Sequence, residues 1–303
     1  MTAQTLRFPM IWAYLQLMRP ANILTAWADI LLGFAAAGVV TAEIWHLDWL
    51  TLGWLVLATT GLYGGGVVFN DVCDAELDAV ERPERPLPSN RASLLGAIAL
   101  GIILLVTGIL AALQVSTISA ALALVVAVTA LVYDQFGKHQ AWLGPFNMGL
   151  CRGGNLLLGI SVVPEVLSDR WYLAVIPIVY IAAITAIARG EVAGGNESTG
   201  VFAICLIGTV IAIVLGLGVL PAYNLLFALP FLSLFVFLVV PAFVKAAINP
   251  SAKLIQTAVK TGILALIILD ATLAAGFSNW IYGLLVLALL PVSRMLARLF
   301  AVT

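Results

Sequence analysis

Long apolar runs, broken at near-regular intervals by short polar stretches, set the pattern of this chain. Runs of about 20 mostly apolar residues, the length that crosses a hydrocarbon core, lie near 22–40, 50–69, 93–113, 116–133, 145–163, 172–188, 200–220, 223–244, 259–276 and 280–300. In lipid, a helix satisfies every backbone group within its own segment. The pattern therefore predicts an all-α polytopic transmembrane helical bundle. Its span count is nine to ten, because Pro221, Pro230 and Pro241 fall in or beside the last four runs, where proline breaks or kinks a helix. No Pro/Ser/Gly-rich linker or low-complexity stretch divides residues 1–303, which read as a single integral-membrane domain.

Composition agrees. The 303 residues are 63% hydrophobic and 10% charged, against about 25% charged in a soluble domain, so lipid must be the solvent for most of the surface. A net charge of −1 gives no pull toward nucleic acid. Nothing in the pattern calls for an obligate protein partner. Cys73, Cys151 and Cys205 are scattered without CxxC spacing, so neither a disulfide framework nor a zinc site is expected. The start, MTAQTLRFPM, is too polar, and the first apolar run too long, for a cleaved signal peptide; the whole chain is read as mature protein.

Orientation follows from lysine and arginine. With Arg7 and Arg19 in the cytoplasm, the outward connections near 41–49, 114–115, 164–171, 221–222 and 277–279 carry only Arg170. The inward loops hold Arg82, Arg85, Arg91, Lys138, Arg189, Lys245, Lys253 and Lys260, and the inward C-terminus holds Arg294 and Arg298. The expectation is a multi-pass protein of a bacterial-type inner membrane or its equivalent, with both termini cytoplasmic.

The longest polar stretch, 70–92, is the most informative. If the second helix continues past the membrane edge, Asn70, Asp74 and Asp78 stand at i, i+4 and i+8 and project from one face. Like charges at that spacing repel, and a hard divalent cation removes the repulsion. Magnesium takes few carboxylates and keeps room for phosphate oxygens. Arg82, Arg85 and Arg91 follow in a loop stiffened by Pro83, Pro86 and Pro88. Arginine forks match phosphate oxygens, so the two halves together read as a site for a metal-bound diphosphate. A solvated loop whose charges only enforce topology is the alternative.

Charges also lie at membrane depth, where an ionisable group costs at least ~2.5–3.5 kcal/mol and marks a cavity or pathway. Arg152, a third of the way into the fifth run, reads as a diphosphate or acceptor contact inside a central cavity, or else as a snorkelling or structurally paired group. Asn155, three residues on, shares its face. Asp29 and Asp270, in the first and ninth runs, either pair with a cation such as Arg152 or stay protonated. Asn22, two turns before Asp29, lines the same side nearer the cytoplasmic edge. Asp134 sits near the mouth, where a carboxylate accepts an acceptor's proton or touches metal. Gly64, Gly65 and Gly66 lack the GK[ST] of a phosphate loop and are expected to serve close helix packing. His46 and His139 stand alone, which speaks against transition-metal chemistry.

NDVCDAELD followed by ERPERPLPSNR strongly resembles the first aspartate-rich motif of the UbiA superfamily of intramembrane prenyltransferases. The number of runs, the loop placement and Arg19-Pro20 extend the resemblance over nearly the whole chain. It implies a central cavity open to the cytoplasm and laterally to lipid. It further implies that Asn70, Asp74 and Asp78 bind Mg2+ and the diphosphate of an isoprenoid donor, and that Tyr133 and Lys138 help to hold that diphosphate. The family's second motif, Asp-xxx-Asp after the sixth helix, is matched by ARGEVAGGNE. There Glu191 stands for the first aspartate as a metal and substrate ligand, Gly195 occupies the place of the second, and Glu197 comes two residues later. The glycines of this stretch leave room for backbone contact with a ligand. YDQFGKH, GPFNMGLCRGGNLLLG and ARGEVAGGN are together most similar to the EboC-type branch.

The resemblance implies Mg2+-dependent transfer of a prenyl group from an isoprenoid diphosphate to an unidentified small acceptor. Asp74, Asp78, Asp134 and Lys138 are the expected catalytic residues, and Lys138, Arg152 and Arg85 the groups that neutralise the leaving diphosphate. Asn70, Arg85, Tyr133, Arg152, Asn155, Glu191, Asn22 and Asp29 are the expected substrate contacts. Two other readings remain: a related protein that binds or moves a prenyl-linked or anionic metabolite without catalysis, and a secondary transporter, for which no strong internal repeat is visible.

Overall fold

A computed structural model of the chain describes residues 3–40, 48–137, 140, 143–191 and 194–300. Among these, all regular structure is helical. The order is α1 (Ala3–Met18), α2 (Pro20–Ala36), α3 (Trp49–Cys73), α4 (Ala75–Glu81), α5 (Leu94–Leu113), α6 (Thr117–Gln135), α7 (Leu143–Ile160), α8 (Pro164–Arg170), a 3-10 turn (Trp171–Ala174) and α9 (Val175–Ala188). There follow α10 (Glu197–Gly216), α11 (Leu225–Ile248), α12 (Ala252–Phe277), α13 (Trp280–Leu287) and α14 (Leu289–Leu299). Polar residues start many of them: Ser93, Ser116, Asn196, Asn224 and Asn279 each accept a backbone N–H of the following turn.

Eight of these stretches are long and apolar enough to cross a membrane: α3, α5, α6, α8–α9 together, α10, α11, α12 and α13–α14 together. The expected count of nine to ten includes two further runs. The two runs that fall short are α2, with 17 residues, and α7, whose Asn147, Arg152 and Asn155 dilute its apolar character. Pro230 and Pro241 did not divide their run. α11 passes unbroken through Pro230 and Pro241, while Pro221 falls in the turn before it. Trp49, Trp171 and Trp280 are exposed at helix starts away from the Asp/Arg loop, as membrane-interface residues are.

The short α2 is the most enclosed element, with 15 of its 17 residues buried. It packs against α3, α7, α12 and α14, and α12 in turn packs against α9, α11 and α13. α5, α6 and α11 expose most of their length. At the crossing of α2 and α7 the backbones touch: a Cβ on Gly33 would stand 2.5 Å from the Gly159 carbonyl carbon. Glycine alone permits that approach. On the far side from the Asp/Arg loop, the Arg170 guanidinium donates to the carbonyl of Ala36 at the end of α2 and lies 5.2 Å over the Phe277 ring. The Arg170 guanidinium thus answers the exposed carbonyls of a helix C-terminus.

Candidate active site

A chamber of about 410 Å3 runs between α2, α3, α6, α7, α9 and α12. Its wall is apolar along Leu62, Val126, Ala130, Ile181, Ile184, Val259, Ile263 and Leu266. It reaches the surface beside exposed Glu81, at the end of the bundle that carries the Asp/Arg loop. Asn70, Asp74 and Asp78 all line it. The helix that bears them is interrupted at Asp74, where α3 ends and α4 begins. Backbone bonds from Asp74 N to Asn70 O (3.0 Å) and from Asp78 N to Asp74 O (2.8 Å) nevertheless keep the four-residue spacing.

The loop arginines fold back over this face. Arg85 Nη1 donates to Asp78 Oδ2 at 2.7 Å and lies 3.4 Å from Asp71 Oδ1. Asp71 Oδ1 also accepts from Arg19 Nη2 at 2.6 Å. Arg19 is held with φ +48° just before Pro20, a left-handed conformation that non-glycine residues rarely adopt. Its pair with Asp71 ties that turn to α3. Arg82 Nη2 stands 4.0 Å from Glu191 Oε2. Burial pushes the Glu191 carboxyl above its usual range, against the opposing pull of Arg82, Arg19 and Arg85. Asp71 had no sequence signal. It lies one residue, about 100° around the helix, from the face that the four-residue spacing picks out.

Opposite, Tyr133 and Asp134 lie in the last turn of α6, and both line the chamber. Asp134 is buried, and its Oδ1 accepts from Asn70 Nδ2 at 3.0 Å. Lys138 lies outside the described residues. Glu191 lines the chamber from the turn after α9, but Gly195 and Glu197 do not. Gly195 N donates to Pro250 O, a Cβ on Gly190 would stand 2.8 Å from Gly195 N, and Asn196 caps α10. These glycines serve the packing of their own loop.

At the inner end the expected contacts separate. Asn22 and Arg152 line the chamber, but Asp29 does not: it stands one layer back, 1% exposed, with Oδ2 3.2 Å from Arg152 Nε. Asn155 reaches the wall with its amide fully engaged. Its Oδ1 accepts from Thr59 Oγ1 at 2.6 Å, and its Nδ2 donates to Asp29 Oδ2 at 2.8 Å and to Ala26 O at 3.0 Å. Asp29 thus meets the chamber through Arg152 and Asn155, while Asn155 lines it directly. Arg152 Nη2 donates to Thr25 Oγ1 at 2.6 Å, and its guanidinium carbon lies 5.6 Å from the centre of the Tyr63 ring. Tyr63 comes eleven residues before Asp74, about 16 Å along α3.

Asp74 and Asp78, one turn apart, and the Asn70 amide oxygen form a hard-oxygen set on one wall. Among the described residues no three Asp, Glu, His or Cys side chains converge into a closed cage. Such an open set fits a magnesium ion whose other positions are filled by water or phosphate oxygens.

The comparisons with known proteins agree with this architecture. The sequence profile of the UbiA prenyltransferase family matches residues 31–258. The chain belongs to that family. Digeranylgeranylglyceryl phosphate synthase of Methanoculleus marisnigri is 32% identical over 228 residues, covering 68% of this chain and 77% of the relative. The enzyme of the same name from Saccharolobus solfataricus is 28% identical over 186 residues, covering 61% of this chain and 62% of the relative, under two-thirds of its length. A UbiA homologue of Aeropyrum pernix K1 in its apo state superposes with a TM-score of 0.68 at 15% identity, over 83% of this chain and 96% of the other. One of Archaeoglobus fulgidus, solved with GPP and Mg2+, gives 0.61 at 16% identity, over 91% and 99%. These two likenesses show the shared fold.

Proposed function

We propose that the chain transfers a prenyl group from an isoprenoid diphosphate to a small acceptor, with the charged end of the bundle facing the cytoplasm. The observation that carries this reading is the shared chamber: Asn70, Asp74, Asp78, Arg82, Arg85 and Asp134 converge on one polar mouth above a deep apolar wall. The prenyl tail lies along Leu62, Val126, Ile184 and Ile263, and its diphosphate rests against the mouth. Asn70, Asp74 and Asp78 hold Mg2+ there. When bound, the ion supplies positive charge to the diphosphate oxygens. Arg85 and Arg82 add theirs, exchanging Asp78 and Glu191 for phosphate oxygens as negative charge grows on the leaving group. Tyr133 steadies the diphosphate, and Lys138 is assigned the same task. The electron pair of the allylic carbon–oxygen bond departs with the diphosphate, the acceptor's nucleophilic atom bonds the carbon, and Asp134 takes the proton that the acceptor loses. The apolar wall keeps out water that would otherwise capture the cationic carbon.

The second aspartate motif is degraded in this reading. Glu191 is its one carboxylate at the chamber, so no step is assigned to a second ion. Relatives named digeranylgeranylglyceryl phosphate synthase and a structural neighbour bound to GPP and Mg2+ support a prenyl diphosphate donor. The test is mass spectrometry of lipids from membranes with and without the protein. A new prenylated species is expected, reduced about 100-fold or more in Asp74→Ala and Asp78→Ala. Full activity in both variants ends the assignment. Mg2+-dependent donor binding without pyrophosphate release would favour a non-catalytic binding protein.

A further inference from the structure

Of the three arginines that follow the Asn/Asp face, Arg82 and Arg85 line the chamber and Arg91 does not. Arg91 is exposed, yet its planar fork is spent on protein. Nε donates to Ser89 Oγ at 2.9 Å, Nη1 to Gln16 Oε1 at 2.7 Å, and Nη2 to the carbonyl of Glu84. Ser89 Oγ in turn donates to the carbonyl of Arg85 at 2.6 Å. The two carbonyls that flank the Arg85 α-carbon are thus both held, one by Arg91 itself and one through Ser89.

This clasp is anchored outside its own loop. Gln16 belongs to α1, 75 residues earlier in the chain. Beneath the loop lies a small apolar core separate from that of the bundle. Ala13 and Leu17 of α1, Val68 of α3, Leu87 and Ala92 of the loop, and Ala97 of α5 are buried together in it. The Tyr14 hydroxyl reaches Ser93 Oγ, 3.3 Å away, at the start of α5; a Cβ on Gly96 would stand 2.1 Å from it, so glycine admits the ring. Arg91 N and Ala92 N both donate to Pro86 O at 3.0 Å and close the loop on itself. Asn90, with φ +57°, supplies the left-handed step of that turn. One exposed hydrogen bond or ion pair contributes at most about 1 kcal/mol. Three from one rigid fork, above a seated Leu87, hold a loop in place. A cation that only enforced topology would leave its donors to water.

We propose that Arg91, anchored by Gln16 of α1, is a positioning residue that fixes the backbone of Arg85 so that the Arg85 guanidinium meets the diphosphate at the mouth. The inference rests on the prenyl-transfer reading, in which Arg85 neutralises the leaving group. An arginine on a wandering loop must be ordered at each binding event, and preorganisation removes that cost. α1, none of whose described residues lines the chamber, thereby becomes part of the active-site apparatus. Because Arg91 acts through Arg85, the two are coupled and their losses do not add.

The test uses the full chain in lipid nanodiscs with Mg2+ and titrates in an unreactive thio analogue of geranyl diphosphate by calorimetry. Arg85→Gln is expected to weaken binding about tenfold, as loss of a charge-assisted bond does, and Arg91→Gln and Gln16→Leu about fivefold. Arg85→Gln combined with Arg91→Gln is expected to bind within about twofold of Arg85→Gln alone. Gln16→Glu keeps an acceptor for Arg91 Nη1 and is expected to recover most of what Gln16→Leu loses. Undiminished binding in Arg85→Gln or Arg91→Gln, or losses that add in the double variant, overturns this inference and leaves the prenyl-transfer reading standing. No binding of the analogue by the wild type counts against that reading. Hydrogen exchange tests the clasp without a ligand: the amides of Arg91 and Ala92 are expected to exchange about tenfold faster in Gln16→Leu, with those of α12 unaffected. Unchanged exchange in the loop overturns the clasp whether or not the analogue binds.

Discussion

The mouth and the inner end of the chamber are built from the same two residue types, and they differ in what can reach them. Arg19 and Arg85 keep 15% of their side-chain surface, and Arg82 30%, whereas Arg152 keeps 6% against an Asp29 that keeps 1%. Mouth pairs form a string, Arg19 to Asp71 to Arg85 to Asp78, in which one guanidinium serves two carboxylates. Water and ligand compete there, so partners exchange at small cost. The inner cluster has no such competitor. Each bond in it is retained unless a group of equal charge replaces it. Identical chemistry is thus adaptable at one end and fixed at the other.

The contrast can be broken from the inside first. Asp29→Ala leaves Arg152 buried without its carboxylate and is expected to cost about 3–5 kcal/mol, seen as a large fall in melting temperature in detergent; a shift no greater than that of a mouth variant would erase the distinction. Gly159→Ala forces a methyl against α2, where Ile30 O would lie 2.9 Å from the new Cβ. A loss of about 1–3 kcal/mol is expected by the same measurement. At the mouth, Arg19→Gln is expected to cost no more than about 1 kcal/mol, shrinking further in high salt.

The smallest effect concerns Glu191. Its carboxyl is raised above the ordinary 4.5, first by burial, so the folded chain holds this proton at a pH where the unfolded chain has lost it. The contribution to stability is complete below about 4.5 and is lost as pH rises through the folded value. In the presence of a chelator, Glu191→Gln is expected to flatten that part of the stability–pH curve. An unchanged slope would show that burial does not govern this group.

Much of the bundle was legible because an apolar run of membrane length admits few structures. The helices that position the site, α2 and α7, follow the runs 22–40 and 145–163 although Asn22, Asp29, Arg152 and Asn155 interrupt their apolar character. Proline misled: Pro230 and Pro241 sit within α11 without ending it. In the site, the four-residue spacing pointed to Asn70, Asp74 and Asp78, which all face the chamber. It passed over Asp71, whose partners Arg19 and Arg85 are distant in sequence. The pair of Asp29 with Arg152 joins residues 123 positions apart, and the packing of α2 on α7 brings them together.

The touch of backbone on backbone at Gly33 and Gly159 has a consequence for life in membranes of unequal thickness. Helices that meet through long side chains adjust to a thinner or thicker hydrocarbon layer by tilting and sliding. α2 and α7 have no such slack where they cross, while α5, α6 and α11 face outward and take up the mismatch. Sterol content or acyl length would therefore reshape the rim of this protein long before it altered the spacing between Asp29 and Asn155.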